Sequence, residues 1–430
     1  FNLRNDKNII ILKILNLIKI KNFLKKNKKY EVHCISDNQF TYDIINQLAA
    51  KKINNEFHNK VKSNFFKKKN FSFYFLKFII KVIFILLFIK LYNQNKLIKA
   101  LSKNKKSWAM SLYPNFFKDK KEIFFIENFN KINFLISDET HLNFSFLKLL
   151  NIYFSNQSKI LNLESFISFK DIFYTLIKIF KNKKKYNKYL NENLIIDNLD
   201  FTGFYQESIM NSFINRSKLM IYDNAIKKFK KYYSFKKFHI YLFEYNFGFY
   251  LTRNLKQLDC EIIGYQHGIF NDDVMWLDIL TYNNEKVYFP NKIIANYKNS
   301  LNKYKNKFYK NLINFKYKRR NISKIAYLLK IKKNLKEHKK ILILSGTHDI
   351  KDIYFYCKNS INLNKKITYH IKAHPKNRFI FESEKRIKKI NNINRKYYDK
   401  IIVSSTSTIS YDLKLLNKKF DIFKADYKST

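Results

Sequence analysis

Chemically able side chains stand directly after short apolar runs at several places in this sequence. HIYLF leads to Glu244, EIIGY to Gln266, His267 and Gly268, and ILILS to Gly346, Thr347 and His348. YHIKA leads to His374 and Pro375, and IIV to Ser404, Ser405, Thr406, Ser407 and Thr408. Imidazole titrates near neutral pH, so His267 is a candidate general base for taking a proton from a hydroxyl. Glu244 is a candidate to orient it or to touch the hydroxyl, with a surface glutamate as the plainer alternative. The hydroxyl run SSTSTIS enters the apolar stretch YDLKLL, a pattern that makes an anion site at a helix N-terminus and suits phosphate without a metal. Any single serine there is also explained by helix capping alone. His374 is explained equally well as a ligand to the same anion or as a strand-end histidine satisfied by backbone. Lys376 and Arg378 follow it and add cationic reach toward phosphates.

Metal chemistry is not expected. His370 and His374 have a spacing that would put them on one face of a helix, but TYHIKAH reads as a strand, where four residues span about 13 Å. His348 and Asp349 follow a different strand, and no four-ligand set assembles. The three cysteines, Cys34, Cys260 and Cys357, are far apart and lack any C-x-x-C spacing, which excludes a disulfide framework and a zinc ribbon. They fit a reducing cytoplasm as small buried apolar side chains.

Residues of this kind need a frame that holds them at one edge. The β-rich runs KKFHIYLFEYNFG, DCEIIGYQHG, NKIIANY, KKILILSGTHD, KITYHIKAHP, YDKIIVSSTS and KKFDIF are mostly separated by stretches long enough for a crossover helix. Near-continuous apolar residues within them suit parallel strands covered on both faces. The fold class is therefore α/β, with two Rossmann-like domains facing a cleft and ligands at the carboxyl ends of the strands. Glycine is scarce, five residues in 430, so Gly264 and Gly268 around His267 mark a close approach on the strand and a turn beyond it. The expected division is an N-terminal acceptor-side α/β domain over 1–298, a basic helical connection over 299–338 and a C-terminal donor domain over 339–430.

The order YQHG, then AHPKNR, then VSSTSTISYDLKLLNKKFDIF resembles the GT-B-type transferases of bacterial surface polysaccharides: capsular Kdo transferases, polysialyltransferases and teichoic-acid glycerophosphotransferases. The resemblance covers about 241–423. It implies a histidine-glycine loop on the acceptor side, His267 with Gly268, and a His-Pro pair at the donor nucleotide, His374 with Pro375. It further implies a phosphate loop at Ser404, Ser405, Ser407 and Thr408, with Asp412 as the acid in the helix that follows. Gly346, Thr347, Thr406, Lys376 and Arg378 complete the expected donor site. The implied reaction moves a sugar from a nucleotide-activated donor, cytidine-type in most of these families, to a glycan or lipid-linked acceptor. No cofactor beyond the donor substrate is implied. Transfer of a polyol phosphate from a CDP-linked donor is the alternative within the fold.

Composition limits the other classes. Hydrophobic residues at 46% exclude a disordered chain, and the formal charge of +51 comes from lysines spread through nearly every segment. Lys, Asn, Ile, Phe and Tyr together are what AT-rich codons produce. The charge is thus read first as a solvated coat, with a nucleic-acid or membrane-surface binding protein as the non-enzymatic alternative and no specific nucleic acid as partner. The segment 71–92, FSFYFLKFIIKVIFILLFIKLY, has the length of a membrane span, but Lys77, Lys81 and Lys90 interrupt it. It is expected to be a helix that packs into the protein or lies in an anionic membrane interface, which places the protein in the cytoplasm, peripheral to the inner face of the cell membrane. The chain begins FNLRND without methionine and stops soon after a strand-like run, as a fragment would.

Overall fold

The computed structural model describes residues 160–241, 245–266, 289–307, 314–317, 324–331, 339–346, 349–364, 366–374, 383–393 and 397–424, the segments 17–22, 31–36, 56–61, 107–111 and 132–137, and isolated positions between them. Two parallel sheets dominate. The larger contains β1 (Ser107–Ser111), β2 (Asn133–Ile136), β3 (Ile160–Asn162), β4 (Lys237–Tyr241), β5 (Glu261–Tyr265), β6 (Lys292–Ala295) and β7 (Asn314–Tyr317). Its order is β3-β2-β1-β4-β5-β6-β7. The second contains β8 (Lys339–Leu344), β9 (Ile367–Lys372), β10 (Ile387–Lys389), β11 (Lys400–Ser404) and β12 (Asp421–Phe423), in the order β10-β9-β8-β11-β12. In both, strand order runs outward one way and then reverses, between β1 and β4 and between β8 and β11, where the neighbouring pairs are parallel. That is the Rossmann-like arrangement, and the reversal point is where such sheets open a crevice at their carboxyl edge.

Period-two patterning explains the second sheet. Ile341 and Ile343 of β8 point to one face, where they pack with Ile353, Cys357 and Ile361 of α7 (Ile350–Leu363). Leu342 and Leu344 point to the other, toward Ala326 of α6 (Lys324–Leu328) and Leu413 of α8 (Ile409–Leu415). A strand buried on both faces must be apolar at every position, as KKILIL becomes once past its two exposed lysines. Each fully buried Ile or Leu contributes about 1.5–3 kcal/mol. Lys418 donates to the carbonyls of Ala326, Tyr327 and Leu329, satisfying the open C-terminus of α6.

By compactness the chain forms two units, Phe1–Lys118 with Asn128–Ile262 and Val287–Phe289, and Asp119–Glu127 with Ile263–Lys286 and Pro290–Thr430. The first holds α1 (Phe169–Leu190), α2 (Thr202–Met220), α3 (Tyr222–Tyr233) and α4 (Asn246–Lys256). Trp108 of β1 is its aromatic centre, with the Phe229 and Tyr233 rings at 4.7 and 4.6 Å between centroids. Ser168 and Asp171 form a capping box at the start of α1, and Lys228 of α3 pairs with the same carboxylate at 2.6 Å. A hairpin, Ile195–Ile196 with Leu199–Asp200, turns through Asp197 and Asn198 at φ 53° and 59°, the left-handed pair that a two-residue turn requires. Leu199, Phe201 and Phe204 beyond it pack with Ile14, Leu17, Ile44 and Leu48.

The seven β-rich runs read from the sequence are strands β4, β5, β6, β8, β9, β11 and β12. The stretch 299–338 differs from a purely helical connection. Besides α6 and most of α5 (Lys298–Lys307) it supplies β7, where half-buried Phe315 and Tyr317 alternate with exposed Asn314 and Lys316. The two aromatic residues on one face outweigh the basic composition around them. Strands β1, β2, β3 and β10 were not foreseen; three to five residues long, they carry too few alternations to stand out. Within 71–92 the described residues Leu76, Ile79, Ile80, Ile83, Phe84 and Leu87 are helical, and no helix among the described residues is long and apolar enough to cross a membrane.

Candidate functional site

The reversal point of the second sheet brings three strand ends together. Ser345 follows β8, His374 lies just past β9, and Ser404 ends β11. The Ser345 N–H donates to Lys372 O at 3.1 Å, and the His374 N–H donates to Ser345 Oγ at 3.0 Å, so β8 and β9 leave the sheet as a tied pair. On the other side, Gly346 meets the serine loop. A Cβ built on Gly346 would stand 2.0 Å from Thr406 Oγ1 and 2.8 Å from Ser404 Oγ, closer than real contacts allow. Glycine is thus required here for close approach between the loops after β8 and β11.

Asp349 locks this approach. It precedes α7 but makes no cap bond to that helix; its Oδ1 instead accepts the Gly346 N–H at 2.8 Å. The Ser404 hydroxyl also donates to it, and burial, with neighbouring Asp352 adding in the same direction, pushes the carboxyl above its ordinary value despite both bonds. Ser404 Oγ further accepts the Thr406 N–H at 3.1 Å and lies 2.9 Å from Thr406 Oγ1. Asp349, Gly346, Ser404 and Thr406 therefore form one hydrogen-bonded knot.

The remaining loop hydroxyls have distinct places. Ser405 is buried and donates its N–H to Phe423 O at 2.8 Å, tying the loop to β12. Ser407 is buried, gives its N–H to Ser404 O, and accepts the Ser410 hydroxyl at 2.8 Å. Thr408 precedes α8 with helical backbone angles and no side-chain cap bond, so it does not cap the helix in the usual way. The N–H groups of Ser405, Thr406 and Ser407 already have protein partners. Thr406, Thr408 and His374 are half-buried at this edge. Asp412 is buried on α8.

A second polar knot lies at the ends of β5 and β6. Gln266 donates through Nε2 to Ser300 Oγ at 2.9 Å, and its Oε1 accepts the Asn296 N–H at 2.8 Å. Asn296 Nδ2 returns a bond to Gln266 O at 2.6 Å, and all three residues are buried. The backbone immediately before His267 is thereby fixed by four polar contacts, counting the Gln266 N–H to Ile294 O. Next along, Tyr297 packs its ring 4.6 Å from that of Tyr411 on α8.

His267, Gly268, Glu244, Thr347, Pro375, Lys376 and Arg378 lie outside the described residues. Gly264 sits buried in β5 opposite Ile293. Asp349, Gln266, Asn296 and Gly248 carry structural roles that sequence reasoning did not assign. A Cβ on Gly248 would stand 2.4 Å from Phe243 O, so this glycine lets α4 pack against the turn after β4. The scarcity of glycine that marks Gly264 and Gly268 marks Gly248 equally. By residue type Asp349 suggests a metal ligand beside His348, whereas an aspartate three residues after a strand-end glycine is also a turn lock. Among the described residues no three His, Cys, Asp or Glu side chains gather at metal-ligand spacing. The chain matches no protein-family model and no curated protein.

Proposed function

We propose that the chain is a metal-independent glycosyltransferase of GT-B type, moving a sugar from a nucleotide donor, cytidine-type by resemblance, to a surface-glycan or lipid-linked acceptor. The observation that carries this reading is the knot at the reversal point of the second sheet, where Gly346 and Thr406 meet from β8 and β11 with His374 alongside. Crevices at this position in doubly wound sheets take nucleotides and their phosphates. In the proposed complex, Thr406, Thr408 and His374 contact the donor, Ser404 and Asp349 hold the loop rigid, and Thr347, Lys376 and Arg378 approach the phosphates. Leaving-group charge is then stabilised by hydroxyls and cations. His267 acts as general base on the acceptor hydroxyl, aided by Glu244, and the Gln266 knot supplies a fixed backbone on which that loop is mounted. The enzyme works at the inner, anionic face of the membrane, where a lipid-linked acceptor is presented.

Calorimetric titration with CMP, CDP and UMP at moderate salt tests the reading. Binding of a cytidine nucleotide that weakens in Thr406→Ala and His374→Ala is the expected result. Equal, strongly salt-dependent uptake of every polyanion, including RNA, would replace it with plain charge-driven binding.

A further inference from the structure

We infer that α1 is a membrane-docking helix, lying in the interface of an anionic bilayer with one aromatic face down. Its buried side is ordinary: Asp171, Ile172, Thr175 and Ile179 face the protein. Its other side carries Phe169, Phe173, Ile177 and Phe180 at i, i+4, i+8 and i+11, one continuous stripe on a helix. Phe173 is 66% and Phe180 is 70% exposed, fractions at which a phenyl ring gains almost nothing from the protein's own core. Single exposed aromatics need no explanation, but a contiguous stripe of them marks a surface that something covers.

Charge identifies the covering. Exposed Lys170 and Lys181 belong to the same arc as the stripe, and Lys178 holds its ammonium 4.6 Å from the centre of the half-exposed Tyr174 ring. The helix has a single acid, Asp171, and that one is buried and paired with Lys228. Aromatic side chains flanked by lysines, with no exposed acid, match a lipid interface in which rings enter the acyl boundary and ammonium groups reach phosphates. A second copy of the chain would bring the same lysines face to face, an unfavourable pairing at a net charge of +51. The described part of the segment near residue 80 repeats the pattern: Leu76, Ile80, Phe84 and Leu87 have the same spacing and are 49–58% exposed, while Ile79 is buried. Two stripes of one design in one compact unit point to one kind of surface. The inference does not depend on the transferase reading.

The test is cosedimentation of the full chain with vesicles of phosphatidylcholine alone or mixed with phosphatidylglycerol. The native chain should bind the mixed vesicles, less so as salt rises. The pair Phe173→Ser with Phe180→Ser should lower that affinity about tenfold or more, and Lys170→Glu with Lys181→Glu should remove most of the salt-sensitive part. Circular dichroism and thermal melting of both variants should match the native chain, since the changed side chains are exposed. Equal binding to both vesicle types, no binding to either, or undiminished binding by the phenylalanine variant would overturn the inference. So would capture of an acidic protein in preference to mixed vesicles. Cytidine-nucleotide binding, measured on the same samples, should be unchanged, so its loss or absence bears on the transferase reading and not on the membrane.

Discussion

Gly346 and Thr406 come from strands on opposite sides of the reversal point, yet a Cβ on the glycine would lie 2.0 Å from the threonine Oγ1. Gly346→Ala should therefore destabilise the second sheet by about 1–3 kcal/mol, the usual range for overpacking a filled site. The penalty should shrink in a Thr406→Ala background, because the closest atom is then gone, although Ser404 Oγ remains at 2.8 Å. Urea unfolding of the two single variants and the double variant measures the coupling. Simple additivity would mean the loop moves aside at no cost and that this contact does not shape the site.

Asp349 should matter through its two donors more than through its charge. Asp349→Ala leaves the buried Gly346 N–H and the Ser404 hydroxyl without their acceptor, a loss of about 1–3 kcal/mol. Asp349→Asn keeps one carbonyl oxygen for Gly346 and should lose less. Because burial raises the folded-state value above 3.8, the native carboxyl favours folding most at acid pH and loses that advantage as pH rises through its folded value. Native stability relative to Asp349→Asn should accordingly improve toward pH 4. A constant difference across pH would show that the carboxyl does not titrate in a buried site.

Asp171 behaves in the opposite sense. Burial pushes its carboxyl up, but hydrogen bonds from Lys228, Ser168 and Asn224 outweigh burial and hold it at about 2, below its ordinary 3.8. Its contribution is then fully present above pH 3.8 and is lost as pH falls toward 2. Asp171→Asn should cost about 2 kcal/mol at neutral pH, with the difference from the native chain closing in strong acid. Thermal melting from pH 2 to 7 follows this directly, and a difference that persists at the acid end would assign the loss to packing.

Under the proposed reaction, His267→Ala should reduce turnover far more than donor affinity, since a general base acts on the acceptor proton. Activity should also survive EDTA, because hydroxyls and cations are the proposed phosphate partners. Unchanged turnover in the variant would remove His267 from the chemistry. Loss with EDTA and recovery with magnesium would show that phosphate binding needs a metal.

Sequence pattern alone located every strand whose end carries a candidate in the second sheet, because KKILIL and KIIVS are apolar on two buried faces and ITYHIK alternates one buried face with a half-buried one. It also placed Ser345, Gly346, His374 and Ser404 at strand ends, since each follows the last apolar residue. Strand order was not legible. That β8 sits between β9 and β11, which is what joins Gly346 to Thr406 across 60 residues of chain, depends on pairing between segments with nothing local to announce it. The uses of the hydroxyls were hidden for the same reason. Ser404 serves Asp349 and Thr406 and Ser345 serves His374, partners brought close only when the sheet forms. A serine's type says that it can bond; only the tertiary fold decides whether its partner is protein or ligand, because burial removes water as the alternative and forces each polar group to be satisfied by whatever the packing has placed beside it.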